Sequence, residues 1–122
     1  MEIYKKGGSN GMKNFMMVYS GNWNEEIDVD GFVIMNKKEM TYLSTFLRKY
    51  KTPISVSLGF GDYVEYDNGK ELLDEISFQE ISPEEYCSIS KFFGTSNDFG
   101  DNLILSIKDT ADTDGIEFKL FE

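Results

Sequence analysis

The side chains that usually carry enzymatic chemistry are scarce in this chain. Histidine is absent, which removes the commonest general base, the commonest metal ligand and every triad built on imidazole. The single cysteine, Cys87, falls in a segment predicted to be helical, has no imidazole to activate it, and reads as a buried structural thiol. One cysteine allows no intramolecular disulfide, and zinc sites of the Cys/His type are excluded by count. Gly59-Phe60-Gly61 lacks the third glycine of a dinucleotide loop, and Gly69-Lys70 is followed by Glu71 instead of Ser or Thr. No cofactor and no metal are expected.

Carboxylates are the one reactive type in plenty. A pair of them can hydrolyse a glycosidic bond, but with 22 Asp and Glu in the chain some pair always looks suggestive. Asp28, Asp30 and Glu39 stand at the first, third and twelfth positions of a calcium-loop count. Phe32 and Val33, however, occupy the fifth and sixth, where an oxygen ligand and a turn glycine belong. Asp109, Asp112 and Asp114 also miss the spacing.

The elements that position these residues follow from periodicity and end signals. Residues 1–12 are expected to be a flexible lead-in, polar and glycine-rich around KKGGSNG, and residues 13–122 a single α+β binding domain. Residues 14–20 read as a first strand and residues 27–35 as a second, interrupted near Gly31. Asn36 with Glu39 three residues on marks a helix start, and Met40, Leu43, Phe46, Leu47 and Tyr50 then share one helical face up to the stop at Pro53.

Ile54, Val56 and Leu58 alternate as a third strand; a turn at Gly59–Gly61 leads to a fourth at residues 63–66. Asp67-Asn68-Gly69 is a hairpin signal, and Ile76, Phe78 and Ile81 suit a fifth strand. Ser82-Pro83-Glu84-Glu85 opens a second helix that ends at Gly94. Residues 102–108 and 116–121 alternate like two last strands, joined by a hairpin loop at 109–115. The expected order is β-β-α-β-β-β-α-β-β, an α+β domain with a largely antiparallel sheet and two packed helices.

Charge is the most unusual property. Twenty-two acids oppose twelve bases, a formal −10. Direct nucleic-acid binding needs the opposite sign, and an anionic membrane would repel the chain. No apolar run is long enough to span a bilayer, and no signal-peptide pattern follows Lys5 and Lys6, so a cytoplasmic location is expected. The acidity is uneven: residues 1–51 are net +2, residues 52–90 net −8 with Lys70 as their one base, and residues 91–122 net −4. Such a field suits a basic protein partner, since opposite potentials speed encounter and fix orientation. Ordinary acidic solubility is the competing account.

Two groups of residues form the candidate partner-binding site. One is Trp23 with Glu25, Glu26, Asp28 and Asp30; the other is Asp62, Tyr63, Glu65, Asp67, Glu71, Asp74 and Glu75. Aromatic anchors among acids match the composition of interface hot spots, although Phe60 and Tyr63 taken singly read as core.

In size, charge and organisation the chain resembles the small acidic immunity proteins of bacterial contact-dependent growth inhibition and related polymorphic toxin systems. The similarity of character lies in Ser20-Gly-Asn-Trp-Asn-Glu-Glu-Ile-Asp-Val-Asp-Gly-Phe32 and in Ser82-Pro-Glu-Glu-Tyr-Cys-Ser-Ile-Ser-Lys-Phe-Phe-Gly94, within roughly residues 13–109. The resemblance implies a protein without catalytic activity that binds and neutralises a cognate toxin domain, a basic nuclease whose substrate groove an acidic surface can cover. Two other classes fit the same composition. A phage-type nucleic-acid mimic would compete with DNA or RNA for many basic proteins, and a small carboxylate-based enzyme would hold two converging acids in a deep pocket.

Overall fold

The computed structural model describes residues 13–20, 30–59 and 61–121. Five strands and four helices are placed among them: β1 (Asn14–Ser20), β2 (Asp30–Asn36), α1 (Lys37–Lys49), β3 (Ile54–Gly59), β4 (Asp62–Tyr66), α2 (Gly69–Leu73), β5 (Ile76–Ile81), α3 (Pro83–Phe93) and α4 (Asp98–Thr113). The expected lead-in, residues 1–12, lies outside the described residues. The α+β class and the antiparallel pairing hold. β2, β1 and β5 form a three-stranded antiparallel sheet in that order, and β3 and β4 form a separate antiparallel pair.

Register explains which residues reach the core. Met17 stands opposite Val33 on one side and Phe78 on the other, and Tyr19 stands opposite Gly31 and Ile76. Side chains two apart share a sheet face, so these residues form one surface. Ile54, Val56, Leu58 and Tyr66 of the smaller sheet meet them in the same buried cluster, with Leu43 and Leu47 of α1 and Leu103 and Ile107 of α4.

Helix starts appear where their chemistry places them. The Asn36 side chain accepts from the Glu39 amide at 2.8 Å while the Glu39 carboxylate accepts from the Asn36 amide at 2.9 Å. Ser82 and Glu85 make the same reciprocal pair, at 3.1 and 2.8 Å, with Pro83 at the first helical position.

The C-terminal third departs from the expected order. Residues 102–108 are not a strand, and residues 109–113 are not a hairpin loop; both belong to α4. Asn97 caps this helix, and its buried positions, Gly100, Leu103, Ser106, Ile107 and Ala111, follow helical spacing. Leu103, Leu105 and Ile107 alternate in sequence, but Leu105 is 54% exposed. Residues 116–121 are not a ladder strand either. They still alternate: Phe118 and Leu120 are buried, Glu117 and Lys119 exposed. The segment straps across α1, with the Lys119 amide donating to the Tyr42 hydroxyl at 2.8 Å and Phe118 packed 4.7 Å from the Phe46 ring.

Asp67-Asn68-Gly69 is not a hairpin turn. Asn68 caps the short helix α2, accepting from the Glu71 amide at 2.9 Å. The Gly69 amide donates to the Tyr50 carbonyl at 2.8 Å, so close that a Cβ on Gly69 would lie 2.1 Å from the Leu47 carbonyl oxygen. The order observed is thus β-β-α-β-β-α-β-α-α, with four helices instead of two.

Two substitutions separate the helical from the strand assignment of residues 102–108. Leu103→Ala should cost about 2–5 kcal/mol, measured by urea unfolding, whereas Leu105→Ala should stay within about 0.5 kcal/mol; similar losses at both would restore the strand. Gly100 sits so near β2 that a Cβ there would lie 2.2 Å from the Phe32 carbonyl oxygen. Gly100→Ala should therefore lower stability by about 1–3 kcal/mol in the same assay.

Candidate partner-binding face

Of the first expected group, Trp23, Glu25, Glu26 and Asp28 lie outside the described residues, and Asp30 opens β2 opposite Ser20. The second group is described in full, and all seven residues are exposed. The structure divides them between the strand β4 and the short helix α2 with its flanks. Asp62 starts β4 after the turn that Gly61 makes at φ 81°, a conformation a glycine adopts without strain. Tyr63 stands opposite Ser57 and Glu65 opposite Ser55, while Val64 and Tyr66 stand opposite Val56 and Ile54. Tyr66, Ile54 and Val56 are buried, so Tyr63 and Glu65 occupy the outward face. Tyr63 is 66% exposed and is not core; Phe60 lies outside the described residues.

The remaining four acids gather around α2. The Glu71 carboxylate accepts from the Asp67 amide at 3.0 Å, and Asp74 caps the helix end and pairs with Lys70 at 3.3 Å. Thus the one base of this acidic stretch is already partnered by an acid of its own helix. Glu71 and Glu75 both act on Tyr66, whose hydroxyl lies 3.0 Å from that of Tyr19 in the core. Burial, then the bond to Tyr66, then the charges of Tyr66 and Glu75, push the Tyr19 hydroxyl far above its ordinary range. Burial is also the main cause of the upward shift at Tyr66. Both phenols stay neutral and keep their bond at any physiological pH.

Beside the outward face of the hairpin runs an open trough of about 260 Å³. Ser55, Ser57 and Tyr63 bound it on the hairpin, and Ser106, Asp109, Thr110 and Thr113 on α4. The continuous helix Asp98–Thr113 puts Asp109 there, where the expected hairpin loop at 109–115 would not. A larger open groove of about 430 Å³ lies by the end of α1, between Lys49, Tyr50, Lys51, Thr52, Asp114 and Ile116. Its one carboxylate, Asp114, accepts from the Tyr50 hydroxyl and from the Thr52 hydroxyl at 2.8 Å. Arg48, Lys49 and Lys51 are exposed and have no ion-pair partner among the described residues, as is also true of Lys37 and Lys38.

Cys87 is exposed on α3 and is not the buried thiol its sequence context suggests. None of the residues of α3 is buried, and the element it chiefly meets among those described is β5. Among the described residues no three acidic or sulfur side chains converge as a metal site, and no helix is long and apolar enough to cross a membrane.

The bonds from Tyr50 and Thr52 hold the Asp114 carboxyl below the usual carboxylate range. A carboxyl depressed on folding stabilises the fold above its unfolded pKa, and that contribution is lost as pH falls through the lower folded value. An NMR pH titration should place the Asp114 midpoint below that of an exposed aspartate, and Tyr50→Phe should move it up towards the ordinary value. No family model, no curated protein and no solved structure matches this chain.

Proposed function

We propose that this protein is an immunity protein that binds a cognate toxin domain, a basic nuclease, and neutralises it by covering the nuclease groove with the acidic corner formed by β4, α2 and the turn into β5. One observation carries the reading: Asp62, Glu65, Asp67, Glu71, Asp74 and Glu75 are all exposed on consecutive elements whose only base, Lys70, is paired internally. Six carboxylates held on short, capped elements pre-set a field that a Lys- and Arg-lined groove complements, which raises the association rate and fixes orientation. Exposed Tyr63 adds a rigid aromatic anchor beside them. The resemblance to immunity proteins of contact-dependent inhibition systems supports the same reading, and the acidic composition accords with a partner of opposite charge.

The test is co-purification and titration against the toxin domain encoded next to this gene, at low and high salt. Tight and selective binding that blocks nuclease activity is the expected result. Asp67→Lys with Glu75→Lys should weaken binding at low salt by at least about tenfold, roughly 1.4 kcal/mol, with most of the change in association rate. Glu71 is better changed to Gln, since its carboxylate also bonds the Asp67 amide. Unchanged affinity in the double variant rules out this face. Competition with DNA for many unrelated basic proteins would replace immunity by nucleic-acid mimicry.

A further inference from the structure

We propose that the outer edge of β4 receives an extended, lysine- or arginine-bearing segment of the partner as a third strand of the β3–β4 sheet. This deepens the acidic-corner reading and rests on it. Among the described residues the smaller sheet has two strands, and the far edge of β3 is closed by α4, where the Ser57 amide donates to the Ser106 hydroxyl oxygen at 3.0 Å.

That bond fixes the parity of the whole hairpin. An antiparallel pair alternates between residues bonded to each other and residues whose main-chain groups point away. The Ser57 amide points away from β4, so Ser57 and Tyr63 are a non-bonded pair, and two residues further so are Ser55 and Glu65. Val64 and Tyr66 therefore carry the ladder to β3. The amides and carbonyls of Tyr63 and Glu65 point outward from the opposite edge, and neither residue makes a main-chain bond elsewhere among the described residues.

The outer edge of β2, by contrast, is covered. The Ile34 amide donates to the Thr95 carbonyl at 2.8 Å, and the Phe32 amide to the Asn97 side chain at 2.9 Å. β5 also ends the larger sheet, but its Glu80 is already paired with Lys13 at 3.5 Å.

Charge selects the occupant. Between Thr52 and Gly69 the chain has no Lys or Arg, and Asp62, Glu65 and Asp67 flank the open edge. Charged residues on an edge strand guard it against unwanted pairing. Here the guard is of one sign: a second copy of this edge is repelled, while a strand with basic side chains at alternate positions is attracted. Such side chains on the outward face would lie next to Glu65 and the exposed ring of Tyr63, which offer an ion pair and a cation–π contact.

The experiment uses the full chain, isotope-labelled, and two synthetic peptides. In one, Lys alternates with Thr and Val; the other has the same charge with Pro at the alternate positions. The first should bind at least tenfold more tightly and slow amide exchange at Tyr63 and Glu65. Glu65→Pro removes an outward amide, which a free edge tolerates, together with the carboxylate, whose loss Glu65→Gln reproduces alone; Glu65→Pro should fold normally and abolish the difference between the peptides, whereas Glu65→Gln should keep it. Equal binding of both peptides overturns strand addition and leaves the acidic-corner reading standing. Binding of neither peptide also overturns it, while the toxin titration decides the broader reading. Loss of fold in Glu65→Pro would place that amide in the β3 ladder and overturn the edge assignment too.

Discussion

Asn97 joins the two halves of this fold through one side-chain oxygen. That oxygen accepts from the Gly100 amide, which caps α4, and from the Phe32 amide, which lies on the outer edge of β2. The helix start and the strand edge are thereby held to each other, and the approach is close enough that both Gly31 and Gly100 must lack a side chain. From that anchor α4 runs across to the smaller sheet and closes the edge of β3 through Ser106. On the other side of the core the Tyr19 and Tyr66 hydroxyls, 3.0 Å apart, tie the larger sheet to the smaller, with Leu103 and Ile107 of α4 in the same buried cluster. The cost of the arrangement is two glycines in ordered structure, which are conformationally expensive, and the return is one continuous apolar core.

The acidic corner depends on the same core from the other side. α2 has only five residues and cannot stand alone. It is held by the Asn68 cap, by the Gly69 amide on the end of α1, and by Leu72, which is fully buried. Its charges are therefore displayed on an element rigid at its base. Mutual repulsion among Glu71, Asp74 and Glu75 is offset in part by Lys70 and by the hydrogen bond that Glu71 makes to Asp67. Exposed ion pairs of this kind contribute little to stability, so their effect is chiefly to shape the field.

The parts of the fold that were legible in the sequence are those set by local chemistry. Asn36 with Glu39, and Ser82 with Pro83 and Glu85, start helices because their side chains satisfy amides three residues away. β1 follows from its β-forming composition, β2 from the apolar run after Gly31, and β3 from alternation up to the turn at Gly61. The misreadings share a different cause. Residues 102–108 alternate at two and also fit a period of 3.6; the window is too short to separate them, and the cap that settles it, Asn97, lies outside the window. Asp67-Asn68-Gly69 has the composition of a hairpin turn, but the nearness of Leu47 and Tyr50, distant in sequence, turns the same three residues into a helix start. Of the candidate site, the seven residues from Asp62 to Glu75 stand out in the sequence by the run of acids and the aromatic Tyr63 among them. Their division between β4 and α2 does not, because it follows from that same contact of Gly69 with the end of α1.

Parity is also where the limit of local reading becomes a statement about function. The Ser57 amide, bonded to Ser106, points away from β4, and by strand alternation the main-chain groups of Tyr63 and Glu65 then point away from β3. Read as a strand, the segment around Ser106 would pair with a neighbour and leave the β3 edge open to solvent or to another strand. As a helix it covers the β3 edge, and among the described residues β4, the strand flanked by acids, is then the uncovered edge of the hairpin. Among the described residues, the hairpin edge that α4 leaves uncovered is thus the one beside which the acids lie. An edge guarded by charge discriminates by sign, where one guarded by proline or a bulge would refuse every strand alike.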